Sequence, residues 1–250
     1  MIDFERLDLF EEYTDEKTGV RSYILNEKPA EYVQSFYFTN QSLSDDQKYL
    51  WMYCFYPPLR HHSLGVVSLD PENPFVRVFK EAVVHAATPL VAPEGGRVYF
   101  VDGYTDAAQI CTIDVNGNIE LSARMDPGCI GKKAISRFGT HLSISADGRY
   151  MLVDGMFSTF GFAALVDMET REFKVINEYE GMHNHGQFSP VHPKLFLLDQ
   201  DTSINPITEY HLDPHPQFTR DGRYIVCTTT VRGGVDISVT PVDQLVALTQ

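Results

Sequence analysis

The sequence predicts an all-β chain, a β-propeller of four-stranded antiparallel blades, on three observations. One turn-and-strand pattern recurs five times, its first steps lie near the length of a propeller blade, and aromatic residues are abundant. Among 250 residues there are 13 Tyr and 16 Phe, 43% are hydrophobic and 22% charged, with no long Ala/Leu/Glu/Lys runs. That balance favours pleated structure with a sizeable core.

The repeats are SLSDDQKYLWMYC (42–54), VAPEGGRVYFVDG (91–103), SISADGRYMLVDG (143–155), FSPVHPKLFLLDQ (188–200) and FTRDGRYIVCTTT (218–230). Each pairs a Ser/Thr/Pro and Asp/Gly turn with one basic residue and then an apolar-aromatic strand, which is hairpin chemistry. Aligned on the basic residue (Lys48, Arg97, Arg149, Lys194, Arg223), the steps are 49, 52, 45 and 29 residues. Steps in the upper forties suit a blade of four strands. A β-sandwich would offer similar short strands but not this regular spacing.

Outer strands follow each hairpin: LGVVSLD (64–70), AQICTIDVNGNIEL (108–121), AALVDMETREFKVI (163–176) and VDISVTPVDQLVAL (235–248), with DVNG and DMETRE as tight turns. Outer strands are missing between Leu198 and His215, so the 29-residue step holds half a blade. A single propeller domain over 1–250 is expected, with units near 32–70, 85–121, 137–176, 182–200 (incomplete) and 213–248.

The formal net charge of −14 argues against nucleic acid, because phosphate neutralisation needs clustered Lys and Arg. A local basic site can still hold an anionic sugar. Residues 1–15 are acidic and unlike a signal peptide, and no stretch is apolar enough to span a membrane. The expectation is a cytoplasmic chain, or a secreted or periplasmic one already mature, with no membrane partner. Cys54, Cys111, Cys129 and Cys227 lack CxxC spacing and read as mostly buried thiols. Nothing in the sequence signals an oligomeric state.

Propeller sites form where innermost strands begin and their preceding loops converge. The polar residues at those opening ends are His61, His62, His85, Arg137, His141, Tyr179, His183, His185, Gln187, His211 and His215. MHNHGQFSP (182–190) and LDPHPQFTRDGRY (212–224) share His-x-Gln-Phe-Ser/Thr, at His185/Gln187 and His215/Gln217. Equivalent positions in adjacent blades face one axis, so His185 and His215 can converge on one point. Two readings stay open: a divalent metal (Zn, Mn or Ca) with imidazoles at ~2.0–2.1 Å, His211 or Asp213 as third ligand and Gln187 or water as fourth, or a repeat signature in which His caps a strand and Gln bonds a neighbouring blade. No organic cofactor is indicated. His141, in an inward-reading stretch, looks structural.

HGQFSP, RFGTHLSISADGRYMLVDG, DPHPQFTRDGRY and the opening YVQSFYFTNQSLSDDQKYLWMYC resemble stretches of seven-bladed polysaccharide lyases. The likeness is to ulvan lyases and rhamnose–glucuronate lyases, and more distantly to oligogalacturonate lyases, over most of the chain from about Tyr32. It implies β-elimination at a uronic acid in an acidic polysaccharide or oligosaccharide. By resemblance His62 and His85 are the two lyase histidines, Arg137 neutralises the carboxylate, and Tyr179 is the tyrosine preceding the His-x-Gln-Phe motif. His185 and His215 match a metal-binding pair; apart from the resemblance, His211 or Asp213 remains the candidate third ligand, and His61, Tyr104 and Gln187 are the expected substrate contacts. The sequence departs from the pattern in three places. Leu121, Lys132 and Lys133 stand near where ulvan lyases carry a further tyrosine, Asp213-Pro-His215 replaces a His-x-His, and five units stand against seven blades.

Two other functions compete. One is a non-catalytic carbohydrate- or protein-binding propeller that kept the scaffold. The other, a glycoside hydrolase with paired carboxylates, is weaker, because Asp102, Asp154 and Asp199 recur at matching repeat positions and read as structural.

Overall fold

The computed structural model describes residues 2–59, 61–84, 87–102, 108–126, 135–157, 159–188, 193–194, 196–201, 217–218, 223–229 and 231–247; the side chains of 182–185, 197–201, 217–218, 227 and 245–247 are outside the description. Two compact units divide the chain. One comprises Met1–Glu81, Val91–Gly96 and Glu209–Gln250, the other Ala82–Leu90 and Arg97–Thr208.

In the first unit a short 3₁₀ turn (Phe4–Arg6) leads to β1 (Phe10–Thr14) and β2 (Arg21–Leu25). Then come β3 (Tyr32–Gln34), β4 (Tyr49–Phe55), β5 (His62–Ser68) and β6 (Val76–Val84), hydrogen-bonded in that order as blade 1. The Asp/Ser turn that the repeat pattern anticipates opens β4. Ser44 Oγ donates to Asp46 Oδ1 at 2.6 Å and accepts the Tyr49 amide at 3.0 Å, while Asp46 Oδ1 accepts the Lys48 amide at 3.1 Å.

The second unit carries blades 2, 3 and 4. Blade 2 orders β7 (Leu90–Val91), β8 (Arg97–Val101), β9 (Gln109–Asp114) and β10 (Ile119–Arg124) from inside out. Blade 3 has β11 (Arg137–Phe138) and β12 (Ser143–Ile144) both on β13 (Tyr150–Phe157), then β14 (Phe160–Asp167) and β15 (Phe173–Glu180). Its turn copies that of blade 1: Ser145 Oγ to Asp147 Oδ1 at 2.6 Å, Tyr150 N to Ser145 Oγ at 2.9 Å, Arg149 N to Asp147 Oδ1 at 3.1 Å. Blade 4 consists, among the described residues, of β16 (Met182–Phe188) paired with β17 (Phe196–Asp201). The half-blade expected there turns on residues 202–216, which lie outside the described residues.

Blade 5, in the first unit, is assembled from both ends of the chain. β18 (Gln217–Phe218), β19 (Tyr224–Thr229) and β20 (Asp236–Pro241) supply its inner three strands, and β2 then β1 complete the sheet. The expectation of strands over 235–248 therefore holds only to Pro241, after which Val242–Ala247 form a helix, α1. The repeat locates the change. The carbonyl of Lys48, Arg149 or Arg223 accepts the amide just after the third strand, from Leu69, Met168 or Val242 respectively. In blades 1 and 3 a turn to the fourth strand follows. In blade 5 β2 already occupies the free edge of β20, with Tyr23 opposite Val239, so residues after Val242 have no edge to pair with.

Blade 2 shifts the repeat by one residue. Gly95 N bonds Ala92 O as Gly148 N bonds Ser145 O, so Gly96 takes the place of Arg149 and Arg97 that of Tyr150. Arg97 faces Asp114 just as Tyr150 faces Asp167. Asp102 is thus the counterpart of Gly155, not of Asp154, and the equivalence expected between Asp102 and Asp154 is corrected. A one-residue slip places them on opposite faces of their strands.

The first unit's core joins blades 5 and 1, with Phe10, Tyr23, Leu25, Val226, Ile237 and Val239 against Val33, Leu43, Leu50, Met52 and Val67. The second unit's core joins blades 2 and 3, where Val101, Ile110 and Met125 meet Phe138, Leu142, Val153, Phe157 and Phe162. Cys54 and Cys111 are buried free thiols, and burial pushes them up to about 12 and about 11. No helix among the described residues is long and apolar enough to cross a membrane.

Candidate functional site

The opening end of a blade is where its innermost strand starts, its second ends, its third starts and its fourth ends. In blade 3 one row crosses that end: Arg137 faces Met156, Met156 faces Gly161, and Gly161 faces Tyr179. Residues paired across antiparallel strands project from the same sheet face, so Arg137 and Tyr179 share a face at one level. Three strand spacings separate their backbones by about 14 Å. A sugar ring fits between two long polar side chains so placed, whereas one hydrogen bond does not reach across.

Blade 1 repeats the row in the other unit. Tyr32 faces Phe55 and Phe55 faces His62, with Phe55 seven positions after Lys48 as Met156 is after Arg149. The half-buried His62 ring packs 4.4 Å from Phe55 and 5.1 Å from Tyr53, and His61 beside it is exposed. The register puts His62, Arg137 and Tyr179 at this end of their blades.

Behind Arg137 lies a buried polar knot. Between β11 and β12 four residues, 139–142, stand opposite only Val153 and Asp154 of β13, because Phe138 pairs Gly155 and Ser143 pairs Leu152. The looped backbone loses ladder partners, and Asp154 replaces them. Its Oδ1 accepts the Thr140 amide at 2.6 Å, its Oδ2 accepts the Thr140 hydroxyl, and its main-chain oxygen accepts the Gly139 amide at 2.6 Å. The Gly186 amide of β16 donates to the same carboxylate. Asp154 is 1% exposed, and burial pushes its carboxyl up to about 6 against the opposing pull of Thr140, Arg137 and Gly186.

The loop also ties back to blade 2. Thr88 N donates to Thr140 O at 2.9 Å, Leu142 N to Thr88 O at 3.3 Å, and His141 Nδ1 lies 3.1 Å from Thr88 Oγ1. His141 is 5% exposed, in keeping with the structural role expected of it. Two glycines permit the packing. Gly139 has φ +72°, and a Cβ there would stand 2.8 Å from Ala87 Cβ; a Cβ on Gly155 would drive into the Phe162 ring and stand 2.9 Å from Arg137 O.

β16 carries the His-x-Gln-Phe motif through a bulge. Asn184 faces Asp199 and Gln187 faces Leu197, so one extra residue is inserted around His185–Gly186. Blade 3 side chains hold β16 on both sides of Gln187, since Gly186 N bonds Asp154 and Phe188 N bonds Ser143 Oγ at 2.8 Å. Gln187 is exposed.

The second unit thus brings Arg137, Gln187 and the Asp154 knot onto adjoining strands, with Tyr179 in the same row as Arg137. His85, Tyr104, His211, Asp213 and His215 lie outside the described residues, as do the side chains of His183 and His185. Among the described residues no cluster of three or more His, Cys, Asp or Glu could hold a metal. Asp154 and Thr140 were not anticipated as site residues; the signal was a lone charge inside the apolar strand YMLVDGMF.

No family model matches this sequence, and no curated protein matches it either. Solved structures do. An oligogalacturonate lyase from Vibrio parahaemolyticus is 12% identical, with 93% of this chain and 96% of that chain covered at a TM-score of 0.68. An oligogalacturonate lyase in complex with manganese is 13% identical over 93% and 96% of the two chains (TM-score 0.40), and TolB from Acinetobacter baumannii is 14% identical over 89% and 59% (TM-score 0.46). The first of these likenesses, with the blade-type sheets, shows an all-β propeller fold.

Proposed function

We propose that this chain is a polysaccharide lyase that cleaves a uronic-acid-containing polysaccharide or oligosaccharide by β-elimination. The observation that carries the reading is the shared row of Arg137 and Tyr179 at the opening end of blade 3. The propeller fold, like that of an oligogalacturonate lyase, supports it. Ulvan-like and rhamnose–glucuronate chains are the finer substrates proposed, with oligogalacturonate beside them.

In β-elimination a base removes the uronate C5 proton, the C5–H electrons form the C4=C5 double bond, the C4–O4 bond breaks, and an acid protonates O4. Negative charge grows on the carboxylate as the proton leaves. A guanidinium aimed at that carboxylate stabilises the developing charge more than the ground state, which is what lowers the barrier. Arg137 takes this part. Tyr179, a sugar's width away, is the proton donor or acceptor on its side of the ring, with His62 and His85 as the proposed partner acid or base. Gln187, exposed between two anchored amides, His61 and Tyr104 are proposed to contact hydroxyls. His185 and His215, with His211 or Asp213, form a donor set suited to a divalent ion such as Mn or Zn. Such an ion would add positive charge at the carboxylate.

A non-catalytic carbohydrate- or protein-binding propeller is the second reading, favoured by Leu121, Lys132 and Lys133 standing near where ulvan lyases carry a further tyrosine. Incubation with oligogalacturonate, ulvan and rhamnose–glucuronate chains, following the absorbance of the 4,5-unsaturated product, separates the two. The lyase reading expects product whose rate of formation Arg137→Ala lowers by about 100- to 1,000-fold while leaving it measurable. Absence of product from all three, with sugar binding retained, establishes the second reading instead.

A further inference from the structure

Blade 3 presents Arg137 next to a loop whose backbone is held by one buried carboxylate, and the same carboxylate holds the strand that carries Gln187. We infer that Asp154 is a positioning residue of the proposed uronate site, locking the Arg137 strand and the β16 bulge into one frame. The inference rests on the lyase reading and deepens it.

The geometry leaves Asp154 little other work. It is 1% exposed, so it does not meet substrate, and its bonds run to two separate elements. Through Thr140, three residues after Arg137, it closes the loop in which four residues face two. Through Gly186 it fixes the bulge one residue before Gln187. A carboxylate has two oxygens with about four acceptor positions and no donor, which is what three converging N–H and O–H donors require. An amide in its place keeps the volume but offers only one acceptor oxygen and turns an NH₂ toward a donor. Asp154→Asn therefore keeps the packing while loosening either the Thr140 or the Gly186 bond.

Chemically, such a residue acts only through the groups it places. A guanidinium displaced by about 1 Å from a developing carboxylate charge costs on the order of 100-fold in rate. Asp154→Asn should lower kcat by about that factor, with a smaller effect on KM, while the protein remains folded. The decisive readout is a double-mutant cycle with Arg137→Ala. If Asp154 works through Arg137, adding Asp154→Asn to Arg137→Ala lowers turnover no further, because there is no guanidinium left to misplace. A general structural role gives losses that multiply instead.

The test is made on the full chain with the uronate polymer that gives most unsaturated product. Turnover is measured for the parent, both single variants and the double variant, and binding of a uronate disaccharide is measured by calorimetry on the same set. Thr140→Val, which deletes only the hydroxyl donor, repeats the cycle should Asp154→Asn fold poorly. Loss of kcat in Asp154→Asn or Thr140→Val that disappears in the Arg137→Ala background supports the inference. Multiplicative losses in both turnover and binding overturn it and leave the lyase reading intact. A parent that neither turns over nor binds any of the uronates overturns the lyase reading, and the inference falls with it.

Discussion

Asp154 also has a measurable consequence for stability that needs no substrate. Its carboxyl is pushed from the ordinary 3.8 to about 6 in the folded chain, chiefly by burial. The folded state consequently holds this proton more tightly than the unfolded state does. Between about pH 4 and pH 6 the folded chain binds the extra proton, so stability falls as pH rises through that window. A shift of about two units corresponds to about 3 kcal/mol of penalty once the group is ionised. Asp154→Asn removes the titration and loses a hydrogen bond worth about 1 kcal/mol. The variant should therefore be slightly less stable than the parent at pH 4 and more stable at pH 7.5. The gap between the two proteins should change by about 3 kcal/mol between those conditions. Urea unfolding of both at the two pH values reads this directly. Other carboxylates cancel in the comparison, including Asp147 held down by the Ser145 hydroxyl and Asp167 by the Thr170 amide. An unchanged gap would refute the idea that this carboxylate is ionised against a burial penalty.

Two further outcomes follow from backbone geometry. Gly155→Ala should destabilise the protein by about 1–3 kcal/mol through overpacking against Phe162 and the Arg137 carbonyl, seen as a lowered thermal midpoint; an unchanged midpoint would show that β11 does not press on β13 there. Gln47→Gly should stabilise it by about 1 kcal/mol in urea unfolding, because Gln47 sits at φ 59° in the turn position that Gly95 and Gly148 fill elsewhere. Equal or lower stability would mean that contacts of the Gln47 side chain outweigh its backbone strain.

What could be read in the sequence was whatever local chemistry writes. The Ser-x-Asp turns at 44–46 and 145–147 place their hydroxyl and carboxylate within three residues of each other, so the repeat was legible at those points and the structure follows it bond for bond. Blade 2 slipped because its turn carries two glycines, Gly95 and Gly96, and alignment on the basic residue had no way to weigh the extra one. The pairing of β2 with β20 joins residues more than two hundred positions apart, and nothing local marks it. The end of its blade that each of His62, Arg137 and Tyr179 occupies was legible, since strand polarity alone decides it. In the sequence Asp154 reads as scaffold through its apparent repeat with Asp102, and only the ladder gap between β11 and β12 shows what its carboxylate replaces.

The blade built from both ends makes Phe10–Thr14 and Arg21–Leu25 part of the same sheet as β20, so residues 2–25 carry weight in the fold. Removing them would expose the full length of β20 as an open edge, a row of amides and carbonyls ready to pair with another molecule. It would also strip Phe4, Phe10, Tyr23 and Leu25 from the core of the first unit. A trimmed version of this protein would thus gain a sticky strand and lose its aromatic plug in one cut. Loss of solubility on such trimming is accordingly expected to reflect edge pairing, which a charged residue introduced on the outward face of β20 would suppress.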